Sequence, residues 1–432
     1  MVKRKRGFGQ MNTLSLWAAT ANPPKARQSF EGEYDTDVVI IGAGFTGLSA
    51  AYHLQKKGLR TIVVEQETVG WGASGRNGGM ILPGYKPTMD ELAKKYGVDE
   101  AKQLNEIALD GMELVKEIVT THHIECSLDY GGYLLLSNKK RFKSLLKDEH
   151  ESLNSQFGSD TRYLEGDELK QEISSSFFSY GLVDPHGYSF HPLNYSLGLA
   201  DAAESLGARI FEKTKAVAIQ RTPQNVTVLT EKGRVTAKEV IAATDGYSSH
   251  LTKELDRAVI PIASYQVATE CLGEELAESL ILNNRMVFDT SNLINYFRRS
   301  PDGRIVYGGS GIRHNGCEKY YRELHQMMLS VFPQLTPYKV EYTWGGLIGV
   351  TMDMFPMIGR MKDGVYYATG YCGHGASLAT LMGQLLAQWI AGEERVSRRF
   401  ESLPLKAFPF SSQKSMLINL ANCYYRLMDA IG

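Results

Sequence analysis

The sequence predicts an α/β fold (α+β over the whole chain) in which a domain built on a parallel sheet is joined to an antiparallel β-sheet domain. Three stretches predict it. Residues 37–65 run strand, glycine turn, helix, strand. Residues 258–310 hold short β-rich runs, with Pro301-Asp302-Gly303 as a hairpin signal between two of them. Residues 365–390 repeat the strand, glycine turn and helix, so the chain leaves the first domain and returns to it.

The first element is the β-branched run Val38-Val39-Ile40-Ile41. Gly42-Ala43-Gly44-Phe45-Thr46-Gly47 follows, then an amphipathic segment from Leu48 to Lys57, then Thr61-Ile62-Val63-Val64 and the acid Glu65 with Gln66 beside it. This is the dinucleotide fingerprint, with the acid about twenty residues past the glycines. Gly42 allows the tight turn, Gly44 lets a pyrophosphate approach the backbone, and Gly47 lets the helix pack on the sheet. The helix N-terminus offers free N–H groups and partial positive charge to phosphate. Glu65 can accept from ribose hydroxyls, and its charge argues against a 2′-phosphate. The glycine-rich stretch Val69-Gly70-Trp71-Gly72-Ala73-Ser74-Gly75-Arg76-Asn77-Gly78-Gly79 comes next. A segment so bare is either a surface loop or a backbone that reaches a flat, polar ring from close range. A nicotinamide enzyme does not need it at this place.

Further along, residues 90–123 and 141–157 read as helices and 129–137 as a strand. His191 to Leu206 reads as a helix stopped by Gly207, and 209–219, 225–229 and 239–244 read as strands. In the second region the strands are 263–269, 292–299 and 304–309. The return is Val365 to Gly370, the turn Tyr371-Cys372-Gly373-His374-Gly375, and a helix with Leu378, Leu381, Met382, Leu385, Leu386, Trp389 and Ile390 on one stripe. This second helix N-terminus is either a packed joint or a place where a flavin's N1–C2=O edge, anionic when reduced, meets a helix dipole.

Composition narrows the classes. With 432 residues and 43% hydrophobic content, the chain is long enough for about two or three domains with a sizeable core. The net charge of −1 gives no global pull toward nucleic acid or membrane. No apolar run reaches the roughly 18 residues of a membrane span. Lys3-Arg4-Lys5-Arg6 precedes a mildly apolar stretch and Ala19-Thr20-Ala21, but Asn12, Thr13 and Ser15 interrupt it, which argues against a cleaved leader. Cys126, Cys271, Cys317, Cys372 and Cys423 are dispersed, without metal-ligand spacing, and suit a reducing compartment better than a disulfide framework. No metal site is expected.

These residues together resemble the D-amino-acid oxidase family of FAD-dependent oxidoreductases. The resemblance is carried by strand-GAGFTG-helix-Glu65, by Gly72 to Gly79, by Ala243-Thr244-Asp245-Gly246-Tyr247 and by Gly373-His374-Gly375. Within the family, the chain is similar to the γ-glutamylputrescine oxidase group. That match adds Ser15 to Pro23, Pro261 to Gln266, Tyr296 to Arg304 and Tyr424-Tyr425-Arg426-Leu427. The resemblance implies a Rossmann-like FAD-binding domain (35–95, 185–254 and 340–395) and an antiparallel substrate domain (96–184 and 255–339). Residues 1–34 would form an arm and 396–432 a tail.

Carried over, Gly42, Ala43, Gly44, Phe45, Thr46 and Gly47 would meet the pyrophosphate, and Glu65 and Gln66 the ribose. Gly72, Ala73, Ser74, Gly75, Arg76, Asn77, Gly78 and Gly79 would line the path to the ring. Val217, Ala243 and Thr244 would lie near the adenosine half. Trp344, Gly345, Gly346, Gly370, Gly373, His374 and Gly375 would lie near the ring. Sarcosine-oxidase-like relatives attach flavin through a cysteine near the position of Gly346; a glycine there implies non-covalent FAD. Their oxygen-activating lysine is missing from Arg304 to Gly309.

The expected activity is oxidation of the C–N bond of a small amine or amino acid by hydride transfer to flavin N5, giving an imine that hydrolyses. The expected acceptor is O2, with a quinone or an electron-transfer protein as the alternative. A flavoprotein modifying RNA is a reading from another class that the near-neutral charge disfavours. A substrate carboxylate needs a counter-charge. Arg298, which shares a strand face with Tyr296, comes first and Arg76 second. Arg298 faces either the pocket or solvent. Tyr265 and Tyr296 either orient the amine or pack. His374 is expected to act through its backbone, and His186, His191 and His314 stand alone.

Overall fold

Val38–Ile41 is buried along its whole length, and its side chains divide between two cores. Val38 and Ile40 face one layer, made by helices Phe45–Lys56, Val98–Thr121, Pro192–Ser205 and Gly375–Ile390. Val39 and Ile41 face the other, where Val226, Val228 and Val235 of a β-meander pack on the sheet. A strand covered on both faces needs a continuous apolar run, which is why VVII is written there. The computed structural model describes residues 8–12, 14–248, 251–310, 318–393, 400, 405–409, 411–414 and positions 416, 418, 420, 424, 427 and 428. Lys3 to Arg6, His314, Cys317, Cys423 and Tyr425-Arg426 lie outside the described residues.

The six-stranded sheet runs Arg209–Phe211, Thr61–Val64, Val38–Ile41, Glu239–Ala242, Tyr366–Thr369, Met357–Arg360. All neighbours are parallel except the last pair. Thus the return strand Tyr366–Thr369 lies beside Glu239–Ala242, and both glycine turns open at the same end of the sheet. The meander Ala216–Arg221, Val226–Thr230 and Gly233–Ala237 continues into Gly32–Asp35, so part of the arm belongs to this layer.

The second sheet has nine strands, in the order Phe8–Asn12, Val340–Val350, Ile260–Thr269, Ile305–Ser310, Asn295–Arg299, Met286–Asp289, Tyr133–Ser137, Tyr180–Asp184, Arg162–Glu165. It is antiparallel except where Phe8–Asn12 joins Val340–Val350 and where Met286–Asp289 joins Tyr133–Ser137. Tyr265, Phe297 and Tyr307 face a core shared with helix Glu318–Val331. Ala268, Val306 and Trp344 face Leu16 and Trp17 of the arm.

Two segments differ from the sequence expectation. Val340–Val350 was expected in the nucleotide domain and is the second strand of the nine-stranded sheet. Helix Val98–Thr121 was expected in the substrate domain, yet Leu104, Met112 and Val115 pack in one core with Val38 and Ile40. Its heptad-like apolar face needs a partner, and helix Gly375–Ile390 supplies one.

Two histidines are held neutral inside this framework. His53 hydrogen-bonds to Ser49 O through Nδ1 at 2.8 Å. His191 caps helix Pro192–Ser205: its Nδ1 accepts from Asn194 N at 3.1 Å. Its Nε2–H then donates to Thr20 Oγ1 at 3.1 Å, and that hydroxyl donates onward to Leu16 O at 2.8 Å. Burial lowers both rings from 6.5 to about 4. An unfolded chain takes up these protons below about pH 6.5, whereas the folded one does not until about pH 4. Stability present above pH 6.5 is therefore lost on acidification, by up to about 3 kcal/mol per ring. Thermal melts between pH 7 and pH 4 should show a falling Tm, with a shallower slope in His191→Asn, which keeps a cap acceptor but does not titrate. An unchanged slope in that variant would contradict the assignment.

Candidate cofactor and active site

Gly42 has φ +106°, and a Cβ there would lie 2.7 Å from Ala243 O. A Cβ on Gly47 would lie 2.0 Å from Gly42 O, so the helix starts in direct contact with the turn it leaves. Helix Phe45–Lys56 has Gly44 at its N-cap and therefore no side-chain cap from that residue. Ser74 Oγ reaches in from the glycine segment to accept from Phe45 N at 3.0 Å, while Thr46 N and Gly47 N have no partner among the described residues. Glu65 accepts from Ala43 N and Glu67 N, each at 2.8 Å, and burial raises its pKa. Gln66 is exposed, and Val217 is 48% exposed on the meander; neither joins this hydrogen-bonded set.

Residues 72–79 lie between the two sheets. Ala73–Gly75 is one turn of 3-10 helix, and Asn77 Nδ2 closes it by donating to Ala73 O and Ser74 O. The carbonyls beyond it are held by side chains from outside the segment. Arg76 O accepts from Gln266 Nε2 at 2.6 Å and Trp344 Nε1 at 3.0 Å. Asn77 O accepts from Trp17 Nε1 at 2.8 Å, and Gly79 O accepts from Arg298 Nη1. Asn77 N and Gly78 N have no partner among the described residues.

Arg298 is 1% exposed, and its Nη1 also donates to Phe190 O at 3.1 Å, while Nε donates to Arg299 O. Burial lowers its pKa to about 10. The sequence expectation of a pocket arginine or a solvent-facing one is corrected here: Arg298 is a buried brace between sheet and glycine segment. Arg76 is half-exposed, lies 4.3 Å over the Trp71 ring, and donates from Nη1 to Gly345 O at 3.2 Å. Tyr296 lies against Gly78 and Gly308. Its hydroxyl meets Ser264 Oγ at 2.9 Å, and burial raises it to about 12. Tyr265 points to the other face, stacked on Tyr320, where a cavity of about 350 Å³ opens away from the glycine segment. Ser264, not Tyr265, is therefore the partner of Tyr296.

The closing turn completes the arrangement. Gly370 and Gly373 have φ of +82° and +99°, and His374 is the N-cap of helix Gly375–Ile390, without a side-chain cap. His374 Nδ1 is buried without a hydrogen bond, and burial next to Lys86 lowers the ring to about 4. Burial also lowers Lys86. Tyr371 and Thr46 share a 2.6 Å hydroxyl contact that ties the two helix N-termini together. Gly346 sits within 4 Å of Arg76 and the Tyr247 hydroxyl, counted from where its Cβ would be.

Asp245 carries more of the joint than sequence reasoning gave it. Its carboxylate accepts from Gly349 N, Thr369 Oγ1 and Gly370 N, all at 2.9 Å, at a φ of +37°. It therefore binds the nine-stranded sheet to the six-stranded one. The Asp-Gly pair after a buried strand was its only sequence signal. Thr244, expected near adenosine, bonds its hydroxyl to Ser248 Oγ at 2.6 Å.

Two helix N-termini without a cap from their own N-cap residue, N–H groups of the glycine segment unpaired among the described residues and an imidazole nitrogen unbonded among them make a mould for a long, polar, anionic molecule. A profile of the DAO family, described as FAD dependent oxidoreductase, matches residues 37–389. The chain belongs to this family. It is 33% identical to gamma-glutamylputrescine oxidoreductase of Escherichia coli (strain K12), over 98% of this chain and 99% of that protein. It is 27% identical to glycine oxidase of Bacillus licheniformis, over 82% and 93%. Its fold superposes on glycine oxidase from Geobacillus kaustophilus with a TM-score of 0.74 at 19% identity, covering 87% of this chain and 99% of that one. The chain is thus an FAD-dependent oxidoreductase, and the mould fits FAD. No helix among the described residues is long and apolar enough to cross a membrane.

Asp245→Ala removes three charge-assisted hydrogen bonds and leaves three donors without it. It should lower stability by about 3 kcal/mol. Denaturant melts of the purified variant check this; a loss below about 1 kcal/mol would show that the joint does not depend on Asp245.

Proposed function

We propose that the protein oxidises the C–N bond of a small amine or amino acid resembling γ-glutamylputrescine. The observation that carries this reading is the full-length likeness to gamma-glutamylputrescine oxidoreductase; the half-exposed Arg76 guanidinium beside Gly345 O and the Tyr296–Ser264 hydroxyl pair support it. FAD, when bound, supplies the two-electron acceptor for the amine's α-C–H bond. On this reading the turn 42–47 and Glu65 hold the pyrophosphate and ribose, residues 72–79 the ring, and residues 373–375 its pyrimidine side. Ala243 and Thr244 lie on the adenosine side; Val217, exposed on the meander, has the weakest support.

The chain's own residues prepare the substrate. Arg76 keeps donors to spare after bonding Gly345 O, so it can pair a substrate carboxylate in fork geometry. Tyr296 is protonated at neutral pH, and its hydroxyl, shared with Ser264, can hydrogen-bond the amine nitrogen. The amine must reach the site neutral, because an ammonium has no lone pair to stabilise the developing imine. His374 is neutral at that pH and leaves Nδ1 free as a donor or acceptor. Oxygen is the acceptor we favour; a quinone or electron-transfer protein is the alternative. Ile305–Ser310 carries no lysine toward this site.

An anaerobic titration with γ-glutamylputrescine, glycine and sarcosine should bleach the flavin band with one of them. Recovery on admitting air within seconds supports oxygen, and recovery only with an added quinone supports the alternative. No bleaching by any amine overturns the substrate class. Arg76→Met should lower kcat/KM about 10- to 100-fold for amines that carry a carboxylate. It should change it little for amines that do not; equal losses for both would remove Arg76 as the carboxylate partner.

A further inference from the structure

The segment before residue 37 lies outside the matched family region, yet it reaches the centre of the site. Ser15 caps the short helix Leu16–Ala19, with its hydroxyl accepting from Ala18 N at 3.1 Å. That turn delivers Trp17, which is 1% exposed, into a slot between the two domains. The indole lies edge-on to Trp344 at 6.2 Å and to His191 at 5.1 Å, with Arg298 5.5 Å from the ring centroid. Its N–H donates to Asn77 O at 2.8 Å.

A trans peptide fixes the consequence, because its C=O and N–H point in opposite directions. Gln266 and Trp344 hold the carbonyl of Arg76, so the N–H of Asn77 points away from them. Trp17 holds the carbonyl of Asn77, so the N–H of Gly78 points away in turn. Trp17 packs on Trp344, so the donors approach from one side. Both N–H groups are without a partner among the described residues. Two adjacent peptides are thus turned so that their donors face away from Gln266, Trp344 and Trp17. Unassisted, a glycine-flanked segment would rotate freely there.

We infer that Trp17, with Gln266 and Trp344, is a positioning clamp that aims the Asn77 and Gly78 N–H groups at the isoalloxazine ring. The arm is therefore part of the cofactor site. The inference rests on FAD as the cofactor and is independent of which amine is oxidised.

Trp17→Phe keeps the aromatic packing and removes only the donor. Apoprotein of this variant should bind FAD about fivefold to tenfold more weakly, as loss of one hydrogen bond implies. Its bound flavin should also show a displaced absorption band and midpoint potential. Gln266→Met, which leaves the arm untouched, should act in the same direction through the neighbouring carbonyl. In the wild-type protein, hydrogen exchange at Asn77 and Gly78 should be fast without FAD and protected with it. An FAD Kd, spectrum and potential unchanged in both variants would overturn the clamp, as would amides at 77 and 78 that exchange equally fast with and without FAD. Should Trp17→Phe not fold, Gln266→Met and the exchange experiment decide.

Discussion

A peptide group has two ends, and a backbone that offers its N–H groups to a ligand must place its carbonyls elsewhere. Residues 76–79 depend on this constraint, and the rest of the molecule is arranged around it. Buried carbonyls without donors are destabilising by about 1–3 kcal/mol each. Within this segment the donors come from outside: Gln266 and Trp344 from the nine-stranded sheet, Arg298 from the same sheet, and Trp17 from the arm. The two domains are therefore joined through the glycine segment itself. Their relative placement and the direction of its N–H groups are one variable.

This explains the presence of an arginine in a nearly dry place. Burying a guanidinium is unfavourable unless its donors are met, and Arg298 meets carbonyls at Gly79, Phe190 and Arg299 rather than a carboxylate. Pairing with neutral acceptors leaves the cation partly uncompensated, consistent with its lowered pKa. The nearby indole of Trp17 offers some return through its π face. Arg76, in the glycine segment of the same joint, has kept solvent access and spare donors. The division of labour between the two arginines follows from depth, not from residue type.

The nucleotide half was legible because each of its residues answers a local demand. Val38 to Ile41 announces a strand buried on both faces, and Gly42 a turn that needs positive φ. The joint was less legible. Arg298 and Tyr296 do share a face, as alternation required, but the carbonyls that Arg298 meets lie at residues 79 and 190, and carbonyls leave no mark in a sequence. Trp344-Gly345-Gly346 sits mid-strand in Val340–Val350, where glycines usually argue against strand. They are tolerated because Tyr265, Arg76 and Tyr247 occupy the space that side chains would take. Asp245 was quoted only as part of a motif; its three donors come from residues 104 to 125 positions later in the chain.

Several groups here are in states that the chain alone does not favour. Glu65 is half-buried with two backbone donors, and desolvation raises its pKa. Among the described residues, Thr46, Gly47, Asn77 and Gly78 hold unpaired N–H groups, and His374 an unbonded ring nitrogen. Each is a local deficit of one kind of partner: a hydroxyl for the carboxylate, anionic or carbonyl oxygens for the N–H groups. FAD carries ribose hydroxyls, a pyrophosphate and ring carbonyls in one molecule. With FAD held as proposed, satisfying these groups would stabilise the folded state in proportion to the logarithm of free FAD over its Kd. Because the unpaired groups at 77 and 78 lie in the segment that joins the domains, that stabilisation acts on the joint as well as on the nucleotide sheet. On the proposed site, the same residues that leave the polypeptide under-satisfied by itself are those that would make binding of the cofactor part of its folding.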